Sequence, residues 1–404
     1  MHPSWLGVVI SGALVIALSM GVRQVSGLFL SPVAIDLGLS REAFGIAVAL
    51  QNLVWGLTQP LAGLLADRYG ARPVVLIGGL MYVAGLAVAA LAPDAIVFSL
   101  GLGVLGGLGQ SGTAYAVVLA VIGRAAPAAR RSLALGLGST AGSIGMFVLV
   151  PATGALLDFF DWRSAMLVLS ALVAATALLA WPLKEAGLAG TAAEGEPAGV
   201  GAKMAAEAAA GDRDYWLLNL GFAVCGFQLA FIAIYLPIIL VDKGFEIATG
   251  AMVLAAIGGC NILGTYLAGL AGGRWRKTRV LAALYVARAV VIAVFVLAPL
   301  SRASVLLFGA AIGLLWTGTV PLTSGLVADL WGRRNLGFLF GIVYVGHQIG
   351  AFAGAWAAGL IFDRTGSFDL VWGAAIAAGL AAALCHLALD EVPRPLALAE
   401  GTTA

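Results

Sequence analysis

The sequence predicts an all-α membrane protein, with twelve transmembrane helices in two six-helix bundles related by pseudo-symmetry. Three observations carry that prediction. Of 404 residues, 61% are hydrophobic and 10% charged, and the mean hydropathy is +1.03, a balance that excludes a water-soluble globule of this length. Gly63-Leu-Leu-Ala-Asp67-Arg68-Tyr-Gly70-Ala-Arg72 closes one long apolar segment, and Gly269-Leu-Ala-Gly-Gly273-Arg274-Trp-Arg-Lys277 closes another 206 positions later. Gly154-Ala-Leu-Leu-Asp158 returns as Gly359-Leu-Ile-Phe-Asp363 at an offset of 205. The chain therefore reads as two copies of one membrane half built in the same order.

Splitting the apolar runs at charged or Pro/Gly-rich breaks places helices 1 to 6 at 5–32, 42–66, 73–92, 95–123, 131–157 and 163–182. Helices 7 to 12 follow at 214–241, 247–272, 279–298, 303–328, 335–360 and 369–389. Helix 1 begins near Trp5 and runs on without a cleavage pattern, so it is expected to be retained as a span. The 55 glycines suit helices that must approach closely in lipid. Residues 184–212, rich in Ala, Gly and Glu, read as a flexible cytoplasmic linker, in which Lys203-Met-Ala-Ala-Glu207 can form a short surface helix. The expected division is an amino-terminal bundle over 1–183, the linker over 184–212, a carboxy-terminal bundle over 213–390 and a cytoplasmic tail over 391–404.

With the amino terminus inside, fifteen Arg and Lys residues fall on the cytoplasmic side and five on the other. Cationic loops resist translocation, so both termini are expected in the cytoplasm. The net charge of +2 follows from this topology and gives no reason to invoke nucleic acid. Cys225, Cys260 and Cys385 lie in apolar runs without metal-ligand spacing and read as small core residues. There is no phosphate-binding glycine loop with lysine, metal cluster or nucleophile with a base, so neither enzymatic chemistry nor a cofactor is expected.

Twelve spans, a long central loop and the Gly-x-x-x-Asp-Arg-x-Gly-x-Arg motif between helices 2 and 3 resemble the major facilitator superfamily. The second motif copy is weaker, with Gly273 where the acid would stand. The resemblance implies that Asp67, with Arg68 and Arg72, gates the cytoplasmic side, since a carboxylate there can pair with a cation or a helix amino terminus. Met20-Gly-Val-Arg23-Gln24-Val-Ser26-Gly-Leu-Phe29, Pro151-Ala-Thr-Gly154 and Asp161-Trp162-Arg163 are similar to the branch of bacterial oxalate/formate antiporters and monocarboxylate transporters. Two departures stand out. Gln24 with Arg23 takes the place of that branch's helix 1 lysine, and its helix 8 arginine and aspartate fall on Thr265 and Asn261.

Residue chemistry narrows the substrate. No Asp or Glu sits mid-span, whereas Arg23, Arg288 and His347 do. A buried arginine turns to water, a partner or a ligand, and its planar fork grips a carboxylate bidentately. Arg23 is therefore the expected anion contact. Arg288, one turn from Tyr285, stands between structural pairing and a site role. His347, beside Gln348 and one turn from Tyr344, is expected either to bind substrate or to carry a coupled proton, in the half where oxalate/formate antiporters place a helix 11 lysine. Gln24, Asn52, Gln110, Tyr115, Gln228, Tyr235, Asn261, Trp316, Thr317, Tyr344 and Gln348 supply the remaining polar and aromatic candidates.

Together these readings predict a monomeric secondary active transporter in the plasma membrane, a bacterial inner membrane by resemblance. It would move a small organic anion, a monocarboxylate first, with a coupled proton or a counter-anion. Two alternatives stay open: proton-driven efflux of hydrophobic drugs, and a transport-dead membrane sensor or scaffold.

Overall fold

A computed structural model describes residues 5–38, 41–183 and 198–394. Twelve long helical elements run through it. In the first half they are α1 (Trp5–Phe29), α2 (Arg41–Tyr69), α3 (Ala71–Ala90), α4 (Ala95–Ala125), α5 (Arg131–Phe159) and α6 (Trp162–Leu179). In the second they are α7 (Arg213–Asp242), α8 (Ile247–Arg274), α9 (Lys277–Leu297), α10 (Arg302–Trp331), α11 (Leu336–Thr365) and α12 (Asp369–Leu387). Large apolar side chains such as Leu57, Leu61, Ile77, Leu80, Val290, Val294 and Phe352 stay exposed on these helices, as lipid-facing residues do.

The all-helical fold matches the expectation, while the count of twelve apolar spans is not met by length and composition alone. Among the described residues eleven helices are long and apolar enough to cross a membrane, and α2 is not one of them. Its 29 residues reach roughly 43 Å at 1.5 Å per residue, so length is not what it lacks. Gln51, Asn52, Thr58 and Gln59 interrupt its apolar surface, and Asn52, Thr58 and Gln59 donate hydrogen bonds inside the first unit.

The chain packs into two compact units. One comprises the described residues up to Ala128, those within Ala141–Met204, and Arg333–Gly341; the other comprises Ala129–Thr140, Ala205–Gly332 and the described residues from Ile342 onward. Residues 129–140 and 333–341, expected in the amino- and carboxy-terminal bundles respectively, are thus exchanged between the units. In the first unit Phe98 packs 5.6 Å from Phe44 and edge-on at 6.3 Å to Trp162. The second closes on Trp372, with Phe231, Phe295 and Phe308 at 4.6, 5.7 and 6.3 Å.

The spans α4 and α10 are broken rather than continuous. In α4 a π-helical turn, Leu100–Leu105, leads into Gly106–Thr113, and the extended Ala114 interrupts the helix before Tyr115–Ala125. In α10 the helix stops at Leu314 and resumes at Thr319. Such breaks free backbone groups that lipid cannot satisfy, so they persist only where side chains supply partners.

Part of the expected linker is helical, including the 203–207 stretch read as able to form a short helix. Residues 184–197 lie outside the described set, but Ala198–Ala210 forms a helix of 13 residues, as its alanine content favours. Ala205 and Ala209 are buried, and the Trp216 indole donates to the Ala210 carbonyl at 2.8 Å.

Past α12 the chain is tied back onto the second unit. The Arg394 amide donates to the Leu330 carbonyl at 2.8 Å, its Nε donates to Asp212 at 2.8 Å, and its Nη2 pairs with Asp214. Asp212 caps the start of α7 and accepts from the Trp331 indole at 2.9 Å. Burial works against its charge, but the hydrogen bonds from Arg394, Asp214 and Trp331 outweigh it and hold the carboxyl below the usual carboxylate range. The tie therefore contributes fully above the unfolded carboxylate value of about 3.9 and is lost as the pH falls through the lower folded value. Thermal melts in detergent should show the wild type losing its margin over Asp212→Asn below about pH 4; parallel acid limbs would contradict this.

Candidate functional site

In the first unit the polar side chains gather around Arg23. This residue lies in the last α-helical turn of α1, before the backbone tightens into a 3₁₀ turn at Val25–Phe29. The Asn52 Oδ1 accepts from both Nε at 3.2 Å and Nη2 at 2.5 Å, while the Asn52 amide donates to the Val48 carbonyl at 2.9 Å. The guanidinium lies 5.1 Å from the Trp55 ring centroid. Trp55 donates to Gln59, and Gln59 donates in turn to the Ser111 carbonyl beside the break in α4, at 2.7 and 3.0 Å. Tyr82 and Tyr115 stand within electrostatic reach of the same guanidinium. Gln51 Oε1 and both polar atoms of the Gln110 carboxamide are buried with no hydrogen-bond partner among the described residues. Arg23 is half-buried, and among the described residues no carboxylate pairs with it; one neutral carbonyl and one aromatic face hold it. Gln24, its neighbour in sequence, is exposed.

Arg288 in the second unit has a different fate. It is fully buried, its Nη1 donates to Gln228 Oε1 at 3.0 Å, and its Nη2 donates to the carbonyls of Leu315 and, at 3.0 Å, Trp316. Those carbonyls belong to the break in α10. Asn261 serves the other side of the break, its Oδ1 accepting from the Thr317 amide at 3.0 Å and the Thr317 hydroxyl at 2.8 Å. Thr265 adds bonds to Asn261 at 3.0 Å and Thr317 at 2.9 Å. Gln228 Nε2 donates to the Ala375 carbonyl at 2.8 Å, and the Tyr235 hydroxyl donates to the Ala355 carbonyl at 2.9 Å. Arg288, Gln228, Asn261 and Thr317, with the Trp316 backbone, thus bind one another or the backbone and hold a discontinuous helix.

Elsewhere in this unit, His347 stacks on Tyr344 at 5.3 Å, lies 4.9 Å from Phe222, and its Nδ1 is 3.3 Å from Gln348 Oε1. Cys225, expected as a small core residue, is buried, faces the Thr319 hydroxyl at 3.3 Å and lies within hydrogen-bonding reach of His347.

The motif after α2 forms a tight polar contact. Asp67 pairs with Arg124 at 2.5 Å and accepts from the Gly337 and Phe338 amides at 3.1 and 2.8 Å, at the amino terminus of α11. A carboxylate at that end is favoured by both the unpaired amides and the helix dipole. Gly63 makes the approach possible, since a Cβ there would fall on the Gly337 carbonyl. Arg68 and Arg72 take no part in this contact: Arg68 lies over the Tyr69 ring at 5.0 Å, and Arg72 stacks on Trp181 at 3.7 Å.

The second copy uses other residues. Gly269, the counterpart of Gly63, packs against Gly136 at the start of α5, and the Ser132 hydroxyl donates to the Gly269 carbonyl at 2.8 Å. The missing acid at Gly273 is replaced by Asp329 at the end of α10, which pairs with Arg131 at 3.1 Å and Lys277 at 2.7 Å. Arg124, Gln51, Tyr82, Asp329 and Arg131 were not singled out from the sequence as site residues. The arginines read there only as topological charge, and no local spacing marks the others.

This architecture, two units of long apolar helices with broken spans and a carboxylate latched onto a helix terminus, defines a membrane transporter of helical-bundle type. The chain belongs to the Major Facilitator Superfamily, whose pattern it matches over residues 12–320. It is therefore a transporter and not an enzyme. It is 27% identical over 359 residues to the uncharacterized MFS-type transporter YcxA of Bacillus subtilis, covering 85% of each chain. It is 26% identical to monocarboxylate transporter 13 of Rattus norvegicus, over 93% of this chain and 87% of that one. Human monocarboxylate transporter 11 is 36% identical over 42% of this chain and 36% of its own length. Among solved structures, the proton:xylose symporter XylE superposes with a TM-score of 0.73 at 15% identity, covering 95% of this chain and 94% of that one. At that identity the likeness concerns the fold.

The contrast between the two interior arginines is measurable. Arg288→Met leaves the Leu315 and Trp316 carbonyls and Gln228 Oε1 without their donor and should cost about 3 kcal/mol, read as a lowered melting midpoint in detergent. Arg23→Met should leave that midpoint unchanged or raise it, and equal losses would erase the distinction.

Proposed function

We propose that this superfamily member is a secondary active transporter of a small organic anion, a monocarboxylate first, working by alternating access with proton coupling or anion exchange. The observation that carries this reading is Arg23, a mid-span cation answered by a neutral carbonyl and an aromatic face instead of a carboxylate. Placing an arginine mid-span costs about 2.5–3.5 kcal/mol on insertion scales. A substrate carboxylate would offset that cost with two charge-assisted hydrogen bonds, which Lys could not reproduce. Gln51 and Gln110, with unpaired buried amide atoms nearby in sequence and unit, are suited to orienting a polar substrate. Among the relatives reported above, two carry names that assign them monocarboxylates. We place the protein in a plasma membrane as a monomer with both termini cytoplasmic, following the asymmetry of Arg and Lys along the chain.

Two subsidiary roles follow. Asp67 would hold the contact with the α11 terminus closed in one state and release it in another. His347, stacked on Tyr344 and beside Cys225 and Gln348, would bind substrate or carry the coupled proton.

Uptake of radiolabelled lactate, acetate and pyruvate into proteoliposomes tests the reading. Arg23→Gln should lose at least about tenfold in uptake, with Arg23→Lys recovering little. Asp67→Asn should slow uptake while leaving calorimetric affinity intact, and His347→Gln should abolish acid stimulation while sparing exchange. Wild-type uptake by Arg23→Gln would overturn the assignment.

A further inference from the structure

The second copy of the repeated motif has kept its cations and lost its acid, and its surroundings show what those cations can serve. α8 ends at Arg274 and α9 begins at Lys277, so the turn carries Arg274, Trp275, Arg276 and, one step on, Arg279. Lys277 is committed to Asp329. The three arginines and Trp275 are exposed. Among the described residues only Arg276 has a carboxylate, Glu391 at 3.5 Å, and that oxygen pair is shared with the Thr278 amide at 2.6 Å. Arg274 rests over the Trp275 ring at 5.8 Å, and among the described residues neither it nor Arg279 is ion-paired.

These side chains rim an open cavity of about 610 Å³ whose other walls include the apolar Val280 and Ala283. The cavity sits where the apolar helix α8 ends and the apolar helix α9 begins, a position at which a tryptophan marks the boundary between hydrocarbon and headgroups. A cationic rim on an apolar wall at that depth is complementary to an amphiphile with a negative head. A soluble anion would use the rim and leave the wall bare.

We propose that the α8–α9 turn is a binding site for the phosphate headgroup of an anionic phospholipid, with Arg274, Arg276 and Arg279 on the phosphate and Trp275, Val280 and Ala283 along the glycerol and upper acyl chain. The site is separate from Arg23 and does not depend on which substrate is carried. Basic clusters next to a membrane attract anionic lipid by several-fold in affinity per cation, and the attraction weakens as salt screens it.

Native mass spectrometry of the full chain released from non-ionic detergent tests this with phosphatidylglycerol and phosphatidylcholine of matched acyl chains. The wild type should retain phosphatidylglycerol over phosphatidylcholine by about tenfold, and millimolar inorganic phosphate should not displace it. Arg274→Gln with Arg279→Gln should bring phosphatidylglycerol down to the phosphatidylcholine level, while Arg274→Lys with Arg279→Lys should keep most of the preference. Equal retention of both lipids by the wild type, a preference that survives the double Gln change, or displacement by inorganic phosphate would each overturn the proposal. The Lys pair separates lost charge from lost fold.

Discussion

Inside an apolar span a free backbone carbonyl or a cationic side chain has no water to turn to, so each must find its partner within the protein or in what the protein binds. The two interior arginines meet this constraint in opposite ways. Arg288 is spent on the protein itself, closing the carbonyls of Leu315 and Trp316 that the break in α10 sets loose. Among the described residues Arg23 is held by the Asn52 carbonyl and the Trp55 ring, which satisfy hydrogen bonding without neutralising charge. One arginine builds the scaffold, and the other carries a charge that the proposed transport function assigns to a substrate carboxylate.

The repeat explains why the scaffold can be discontinuous twice. α4 and α10 occupy corresponding places in the two copies, and both break, yet different side chains serve them. Gln59 from α2 reaches the Ser111 carbonyl near the first break, while Arg288 and Asn261 hold the second. The same substitution of parts appears at the motif turns. Gly63 and Gly269 both permit backbone contact, but the carboxylate stands on α2 as Asp67 in one copy and on α10 as Asp329 in the other. Asp329 pairs with Lys277 and Arg131, and the arginines after α8 have no acid in their own turn.

Most of the fold was legible in the sequence because hydrocarbon imposes a one-dimensional rule: apolar runs of sufficient length become helices, and charged turns end them. Helix limits such as 73–92 and 279–298 lie close to the observed Ala71–Ala90 and Lys277–Leu297. What stayed hidden depends on contacts between distant segments. The break at Ala114 has no proline to announce it. The helix Ala198–Ala210 extends well beyond the short 203–207 stretch expected to be helical, in a segment whose composition also suits a flexible linker. The same holds for the site. Arg23 stood out because a lone charge in an apolar run is conspicuous, whereas Gln228, Asn261 and Thr317 looked equally eligible and are engaged in interhelical bonds. Arg124 was invisible as the partner of Asp67, because 57 residues separate them.

The central claim is that Arg23 presents an uncompensated charge to the substrate. Calorimetric titration of the purified wild-type protein with a small monocarboxylate and with its neutral amide isostere tests that claim most directly, since the two ligands share shape and differ in charge. The account predicts saturable heat for the carboxylate and none for the amide. Equal affinity for both would show that charge does not select the ligand and would contradict it.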